Sequence, residues 1–251
     1  MVVYIILLGV VQGLTEFLPV SSSGHLVLME QIFGVKIDMM FMSIMMHVGT
    51  LIAVVIYYRK ELLDIIKKPL SKEVGYLILA TIPAGIFVLT FKDFVTGSFN
   101  GGLLAWGFLT SSIMLFVADF VSKKQTVFVP FTYKTALLMG VFEAVAIFPG
   151  VSRSGSTLCG GIFSGVDSKK ALDFSFLMSI PIILASLFFE LLDLGKSVFS
   201  VNIWFVIIGL FVSFVCGLIS IKLTIKFTQK IKLKYFAIYL FLLSFLTFFV
   251  L

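Results

Sequence analysis

Apolar residues run through this chain in long blocks rather than in alternation. Blocks of spanning length cover roughly 39–58, 74–91, 101–121, 171–192, 203–222 and 235–251. Blocks without a period of two exclude barrel strands, so the pattern predicts an all-α polytopic membrane protein with six full transmembrane helices. Residues 1–33 and 131–165 depart from it. Each is an apolar block interrupted by Pro, Gly and Ser, with a shorter apolar block behind. The halves are marginal or too short to cross alone, which predicts a helix, a turn at membrane depth and a helix returning to the side it came from. Irregular backbone at that depth is tolerated only where it is buried in protein or lines a wet cavity, so the two breaks mark a cavity.

The two broken stretches resemble each other. A shift of 131 residues sets Gly9 on Gly140, Val10 on Val141, Gln12 on Glu143, Phe17 on Phe148, Ser21 on Ser152, Ser23 on Ser154 and Gly24 on Gly155, with Pro19 and Pro149 within one position. Further on, Phe41 with Phe174 and Met45 with Met178 need a shift of 133. This is the pattern of an internal duplication within a single membrane domain, residues 1–251, with one repeat over 1–125 and a second over 131–251. Each repeat holds one re-entrant hairpin and three spans. An odd number of crossings brings the second hairpin in from the opposite face, an inverted-topology repeat whose polar tips can meet near the midplane.

Parity also sorts the loops. One side receives residues 59–73, 122–134, 166–170 and 222–234, and carries fifteen of the nineteen basic residues; the other carries Lys36, Lys92 and Lys196. The lysine-rich side is expected to be cytoplasmic, with both termini outside. Composition agrees: 60% of the residues are hydrophobic and 13% charged, and a mean hydropathy of +1.15 excludes a water-soluble domain. The net charge of +6 follows from topology and from attraction to anionic membrane lipids. It does not indicate nucleic-acid binding, because the lysines are spread over short loops without interleaved aromatics. No charged segment with a small-residue cleavage site precedes Gly13, so the first block is expected in the mature structure. Cys159 and Cys216 lie in apolar runs without CxxC spacing and read as small buried hydrophobes.

The remaining polar residues carry the chemistry. Arg153 is the one basic residue outside the loops, within "PGVSRSGST"; an arginine at membrane depth is functional by default, the bland alternative being a structural partner for Glu16 or Glu143. Ser152, Ser154, Gly155, Ser156 and Thr157 open the second returning half-helix, and Ser21, Ser22, Ser23 and Gly24 open the first. Helix N-termini present unpaired N–H groups and a positive dipole end, so two of them converging with an arginine describe a receptor for a strongly anionic group such as phosphate. Gln12 and Glu16 are four apart and share a helix face at the first break. A phosphate receptor alone has no use for a carboxylate, whereas a hydrolase does, as general base or as ligand to a divalent cation. His25 can serve as acid, base or phosphoryl acceptor. Glu143 is either a remnant of duplication or an orienting partner for Arg153. His47 reads as a core residue of its span, and Asp119, Glu190 and Asp193 as reaching the interface.

"GLTEFLPVSSSGHL" and "PGVSRSGST" resemble the two signature regions of the undecaprenyl pyrophosphate phosphatase, or bacitracin resistance protein, family, and the spacing and overall length agree. The resemblance implies a bacterial plasma-membrane enzyme that removes the terminal phosphate of a polyprenyl diphosphate, the lipid carrier of cell-wall synthesis. It assigns catalytic roles to Ser22 and His25 and phosphate binding to Ser152, Arg153 and Thr157; taken with the helix starts, the catalytic set is Glu16, Ser22, His25 and Arg153, with Gln12, Ser21, Ser23, Gly24, Ser152, Ser154, Gly155 and Thr157 around the phosphates. It further implies a divalent cation, Mg²⁺ or Ca²⁺, with Glu16 as the candidate ligand; Gln12 leaves one carboxylate in a motif that admits two. On this reading Ser22 attacks the terminal phosphorus, His25 being the alternative nucleophile. The substrate is the polyprenyl diphosphate lipid, and a homodimer is left open. A secondary transporter or flippase for an anionic lipid or small anion is the competing reading, since inverted repeats with broken helices also build carriers.

Overall fold

The computed structural model describes residues 1–34, 39–98, 101–194, 202–230 and 232–250. Among the described residues there is no strand, and the helices in chain order are α1 (Val2–Phe17), α2 (Ser22–Phe33), α3 (Met39–Tyr57), α4 (Arg59–Lys67), α5 (Lys72–Thr90), α6 (Lys92–Ser98), α7 (Leu104–Lys124), α8 (Tyr133–Val145), α9 (Arg153–Phe163), α10 (Ser168–Leu194), α11 (Ile203–Lys230) and α12 (Lys234–Val250).

Both interruptions fall where proline and glycine put them. After Phe17 the chain is extended at Leu18, ψ 145°, as a residue preceding proline prefers, and α2 begins at Ser22. α8 ends at Val145, and the chain turns through Pro149 and Gly150, φ +87°, before α9 starts at Arg153. α1 packs on α2, and α8 on α9, so each interrupted stretch is a helical hairpin.

The six expected spans are not equally long. α5, α7, Ser168–Phe188 of α10 and Ile203–Phe227 of α11 are each long and apolar enough to cross a bilayer. The run at 39–58 qualifies only jointly with α4, to which it is bent by 75°. The last run is a helix of 17 residues, about 26 Å long against roughly 30 Å of hydrocarbon. Two stretches expected as loops contain helices. In α4, Leu62, Leu63, Ile65 and Ile66 alternate with Arg59, Lys60, Glu61, Asp64 and Lys67, and none of them is buried, the character of a short amphipathic helix in a headgroup layer. α6 is the second, over Lys92–Ser98.

The exterior is apolar: Ile78, Ile82, Ile86 and Leu89 on α5 and Ile113, Phe116 and Phe120 on α7 are exposed, a surface suited to lipid. Inside, small residues and hydroxyls bring helices together. A Cβ on Gly13 of α1 would lie 2.5 Å from Cys216 Cβ and 2.6 Å from the Ser213 carbonyl of α11. Ser220 donates to Leu14 O at 2.6 Å and Ser213 to Met46 O at 2.9 Å, tying α11 to α1 and α3. Ser112 and Ser244 tie α7 to α12 through Ala237 O and Ala105 O, both at 2.8 Å.

Asp119 departs from expectation. Rather than reaching the interface it is buried, pairs with Lys123, and accepts the Lys234 N–H at 3.3 Å, holding the start of α12 to α7. Lys36 and Lys196 lie outside the described residues, as do the side chains of Lys92, Glu190, Asp193 and Lys230.

Candidate active site

The two hairpin tips touch. Ser154 Oγ donates to Leu18 O at 2.9 Å. A Cβ on Gly155 would lie 3.2 Å from Pro19 Cβ, and one on Gly24 would lie 2.8 Å from Gly150 Cα. Only hydrogen at these Cα positions lets the tips approach so closely. Beneath them Phe17, Phe108, Leu158 and Phe176 form part of the main apolar core, with Phe17 edge-on to Phe176 at 5.4 Å. The last turn of α1 is thereby anchored.

On that turn Gln12 and Glu16 face the junction, both buried. Glu16 is where the two hairpins converge chemically. Its Oε1 accepts from the Arg153 guanidinium, reaching across from the start of α9. Its Oε2 accepts from Ser22 Oγ at 2.6 Å and from Gln12 Nε2 at 2.9 Å. One carboxylate thus neutralises the membrane-depth arginine and polarises a serine hydroxyl. Among the described residues Gln12 Oε1 is buried without a partner, a spare acceptor at the same place.

The helix starts are built alike. Ser21 Oγ accepts Gly24 N–H at 3.3 Å and Ser152 Oγ accepts Gly155 N–H at 3.2 Å, while Ser111 accepts Ser152 N–H at 2.7 Å. These bonds leave the N–H groups of Ser22 and Ser23, and of Arg153 and Ser154, without a backbone partner among the described residues. Ser21 is the only described non-glycine residue with positive φ, +67°. Such strain is worth about 1–3 kcal/mol and collects at functional sites. Ser21→Gly relieves it while losing the cap; Ser21→Ala keeps the strain and loses the cap. Thermal unfolding in detergent should therefore find the alanine variant the less stable, by about 1 kcal/mol.

Not every candidate joins the cluster. Among the described residues His25 makes no hydrogen bond to Ser22 or Glu16: its Nδ1 donates to Ser21 O at 2.7 Å, so Nε2 is the acceptor of the Tyr239 hydroxyl at 2.6 Å, and the ring lies parallel to that of Tyr239. Thr157 turns away, bonding Arg153 O at 2.9 Å and pairing with Ser175 at 2.5 Å on α10. Ser23 is half-buried without a side-chain bond among the described residues. Glu143 is buried on α8 and, among the described residues, makes no hydrogen bond or ion pair, so it does not orient Arg153 by direct contact. In the other direction, His47 was expected to be core. Its Nε2 lies 3.6 Å from Glu16 Oε2. Its signal in the sequence was the one an imidazole inside an apolar span always gives.

A cation held by protein alone does not fit. Both oxygens of Glu16 already accept from Arg153, Ser22 and Gln12, and among the described residues no three His, Cys, Asp or Glu side chains cluster. Beside the first tip a cleft of about 570 Å³ is lined by Leu14, Thr15, Leu18, Val20, Phe227, Tyr235, Phe236 and Tyr239.

Fold and site together define an all-helical, multi-pass membrane protein with a buried serine–carboxylate–arginine centre. The chain belongs to the family described as Bacitracin resistance protein BacA, which matches residues 5–246. It is 40% identical over 236 residues to undecaprenyl-diphosphatase 3 of Bacillus cereus, covering 93% of this chain and 91% of that one. It is 39% identical over 252 residues to the undecaprenyl-diphosphatase of Thermosipho africanus, covering 98% of each. The undecaprenyl-diphosphatase of Carboxydothermus hydrogenoformans is 36% identical over 243 residues, 95% of this chain and 93% of that relative.

Proposed function

We propose that the chain is an integral membrane phosphatase that hydrolyses the terminal phosphate of undecaprenyl diphosphate and related polyprenyl diphosphates. The observation that carries this is the bond from Ser22 Oγ to Glu16 Oε2 at 2.6 Å, on a carboxylate whose other oxygen holds Arg153. A carrier needs an anion receptor but has no use for a polarised hydroxyl within it.

The resting contacts suggest the order of events. A diphosphate head competes for Arg153 and for the free N–H groups of the two helix starts, which neutralise its charge and fix the terminal phosphorus near Ser22. As Arg153 turns to phosphate, Glu16 Oε1 is released from the guanidinium while Oε2 stays on the Ser22 hydroxyl. Ser22 Oγ gives its proton to Glu16 and bonds the terminal phosphorus, the bridging P–O bond breaks, and polyprenyl monophosphate leaves. Water then attacks the phosphoserine, the Oγ–P bond breaks, inorganic phosphate departs and Ser22 regains a proton. Gln12 Oε1, the spare acceptor, suits that water.

His25 acts in this reading by position. Its bond to Ser21 O steadies the strained peptide that aims Ser22, and the Tyr239 hydroxyl occupies the lone pair a nucleophilic histidine would need. A divalent cation belongs to the substrate, arriving on the diphosphate oxygens. The cleft beside Leu18 and Val20 suits the first isoprene units.

The inverted repeat supplies the architecture. α1 of the first half lies along α11 of the second, and α8 of the second along α5 of the first. Gly9 approaches Gly209 O and Val212 on α11, as its repeat partner Gly140 approaches Ala80 on α5. With the lysine-rich loops cytoplasmic, both termini and the route to the site face outward. The function is tested with purified protein in detergent given farnesyl diphosphate and Mg²⁺. Phosphate should be released; no release, with anion transport in liposomes intact, would establish the carrier instead.

A further inference from the structure

His47 lies outside both signature motifs, yet it faces Glu16, the carboxylate that holds Ser22 and Arg153. Its Nδ1 approaches Ser43 O at 2.8 Å. A carbonyl only accepts, so Nδ1 carries a proton. In the neutral ring Nε2 is then the bare nitrogen, and it points at Glu16 Oε2 from 3.6 Å. Two electron-rich atoms face each other across a gap slightly too long for a hydrogen bond. While Glu16 is ionised, a protonated ring here is its ion-pair partner and a neutral ring makes no bond to it; the neutral arrangement has a further use. It becomes a hydrogen bond once Oε2 carries a proton, and Oε2 is the oxygen to which Ser22 Oγ donates.

We propose that His47 takes up, through Glu16, the proton that Ser22 surrenders. The inference rests on the hydrolytic reading above. In balanced form, the O–H bond of Ser22 breaks as its oxygen bonds phosphorus, and the proton binds Glu16 Oε2. It then passes to His47 Nε2, whose lone pair forms the new N–H bond, leaving an imidazolium and an ionised Glu16. Imidazole is ordinarily the stronger base of the two. Glu16 is thereby free to accept the proton of the attacking water in the second half of the reaction. Gln12, the other group bonded to Oε2, is an amide and cannot take this role. Burial sets the direction of transfer: the Glu16 side chain is 2% exposed and that of His47 27%, so the relay leads from a closed centre toward a more open position.

The surroundings leave His47 little other company. From α1 Glu16 faces it, with Arg153 of α9 behind on the other oxygen. The α11 face packed against this part of α3 presents Gly209, Leu210, Ser213, Phe214 and Gly217, none of them titratable. On α10, Asp173 is engaged by the Tyr58 hydroxyl just past the far end of α3, and the charged residues of α4 begin beyond that.

The test is the pH dependence of phosphate release from farnesyl diphosphate by the wild type, His47→Gln and His47→Asn. The asparagine amide can keep the bond to Ser43 O, and neither variant can carry a proton. Both should be folded by size exclusion and thermal unfolding. Their kcat should fall about 10- to 100-fold with KM nearly unchanged, and the shape of their pH profile should differ from that of the wild type. A folded variant that keeps the wild-type kcat and pH profile overturns the proposal. So does a uniform loss that leaves the profile intact, because a merely structural histidine would give that. If the wild type itself releases no phosphate, the hydrolytic reading fails instead.

Discussion

Replacing Ser22 with alanine should lower phosphate release by about 10⁴-fold or more, the scale on which removing a covalent nucleophile acts. The fold should tolerate the change. Ser22 is the first residue of α2, its N–H has no backbone partner among the described residues, and the cap of that helix belongs to Ser21. Glu16 would keep Arg153 and Gln12 as donors, so no buried charge is stranded. What remains should be substrate binding: the variant should still bind an uncleavable polyprenyl diphosphate analogue within a few-fold of the wild-type affinity, because Arg153 and the helix starts are untouched. Rapid quenching with substrate labelled on the terminal phosphate gives an independent check. Acid-stable label on the peptide containing Ser22 is expected. Acid-labile label on His25 would make the imidazole the nucleophile and overturn the assignment.

That contrast shows what a sequence can reveal about such a site. Gln12 and Glu16 were legible as a pair because a spacing of four fixes a common face, and Arg153 because no other basic residue is placed at a break. The breaks themselves were legible because Pro19, Pro149 and Gly150 impose backbone conformations that local chemistry alone dictates. His25 was harder. Its closeness to Ser22 along the chain suggested a direct bond, but its ring is drawn to the carbonyl of Ser21, which also accepts the His25 N–H, and to a tyrosine 214 positions away. Thr157 likewise answers to its own helix and to Ser175, since hydroxyls at helix starts readily bond back to the preceding turn.

His47 was illegible for the opposite reason. α3 carries Ser43, His47 and Thr50 four and three residues apart on one face, but that stripe alone does not say which helix it meets. Only the packing of α3 on α11, through Gly49 against Leu210 and Ser213, turns the imidazole toward Glu16. Span lengths failed differently. Counting apolar residues finds a run at 39–58 but not the 75° bend after Tyr57, where basic residues favour an amphipathic helix over continued insertion.

Replacing Arg153 with alanine should reduce phosphate release by about 10³-fold, and stability and activity should respond in separable ways. In the resting state Arg153 is the counter-ion of Glu16, whose side chain is 2% exposed; removing it leaves a buried carboxylate held by the neutral donors Ser22 and Gln12 without that charge, a loss of about 3–5 kcal/mol. In the reaction the same guanidinium neutralises phosphate, an effect of about 3–4 kcal/mol on the barrier. Arg153→Lys keeps the charge but not the planar fork, and should retain stability while losing about 10- to 100-fold in rate. Pairing Arg153→Ala with Glu16→Gln removes the stranded charge, so thermal stability should return most of the way to wild type. Activity should not return, because the double variant has neither base nor phosphate clamp. Were the double variant to regain activity along with stability, Arg153 would be a structural partner of Glu16 and nothing more, and the phosphate would have to be held by the helix starts alone.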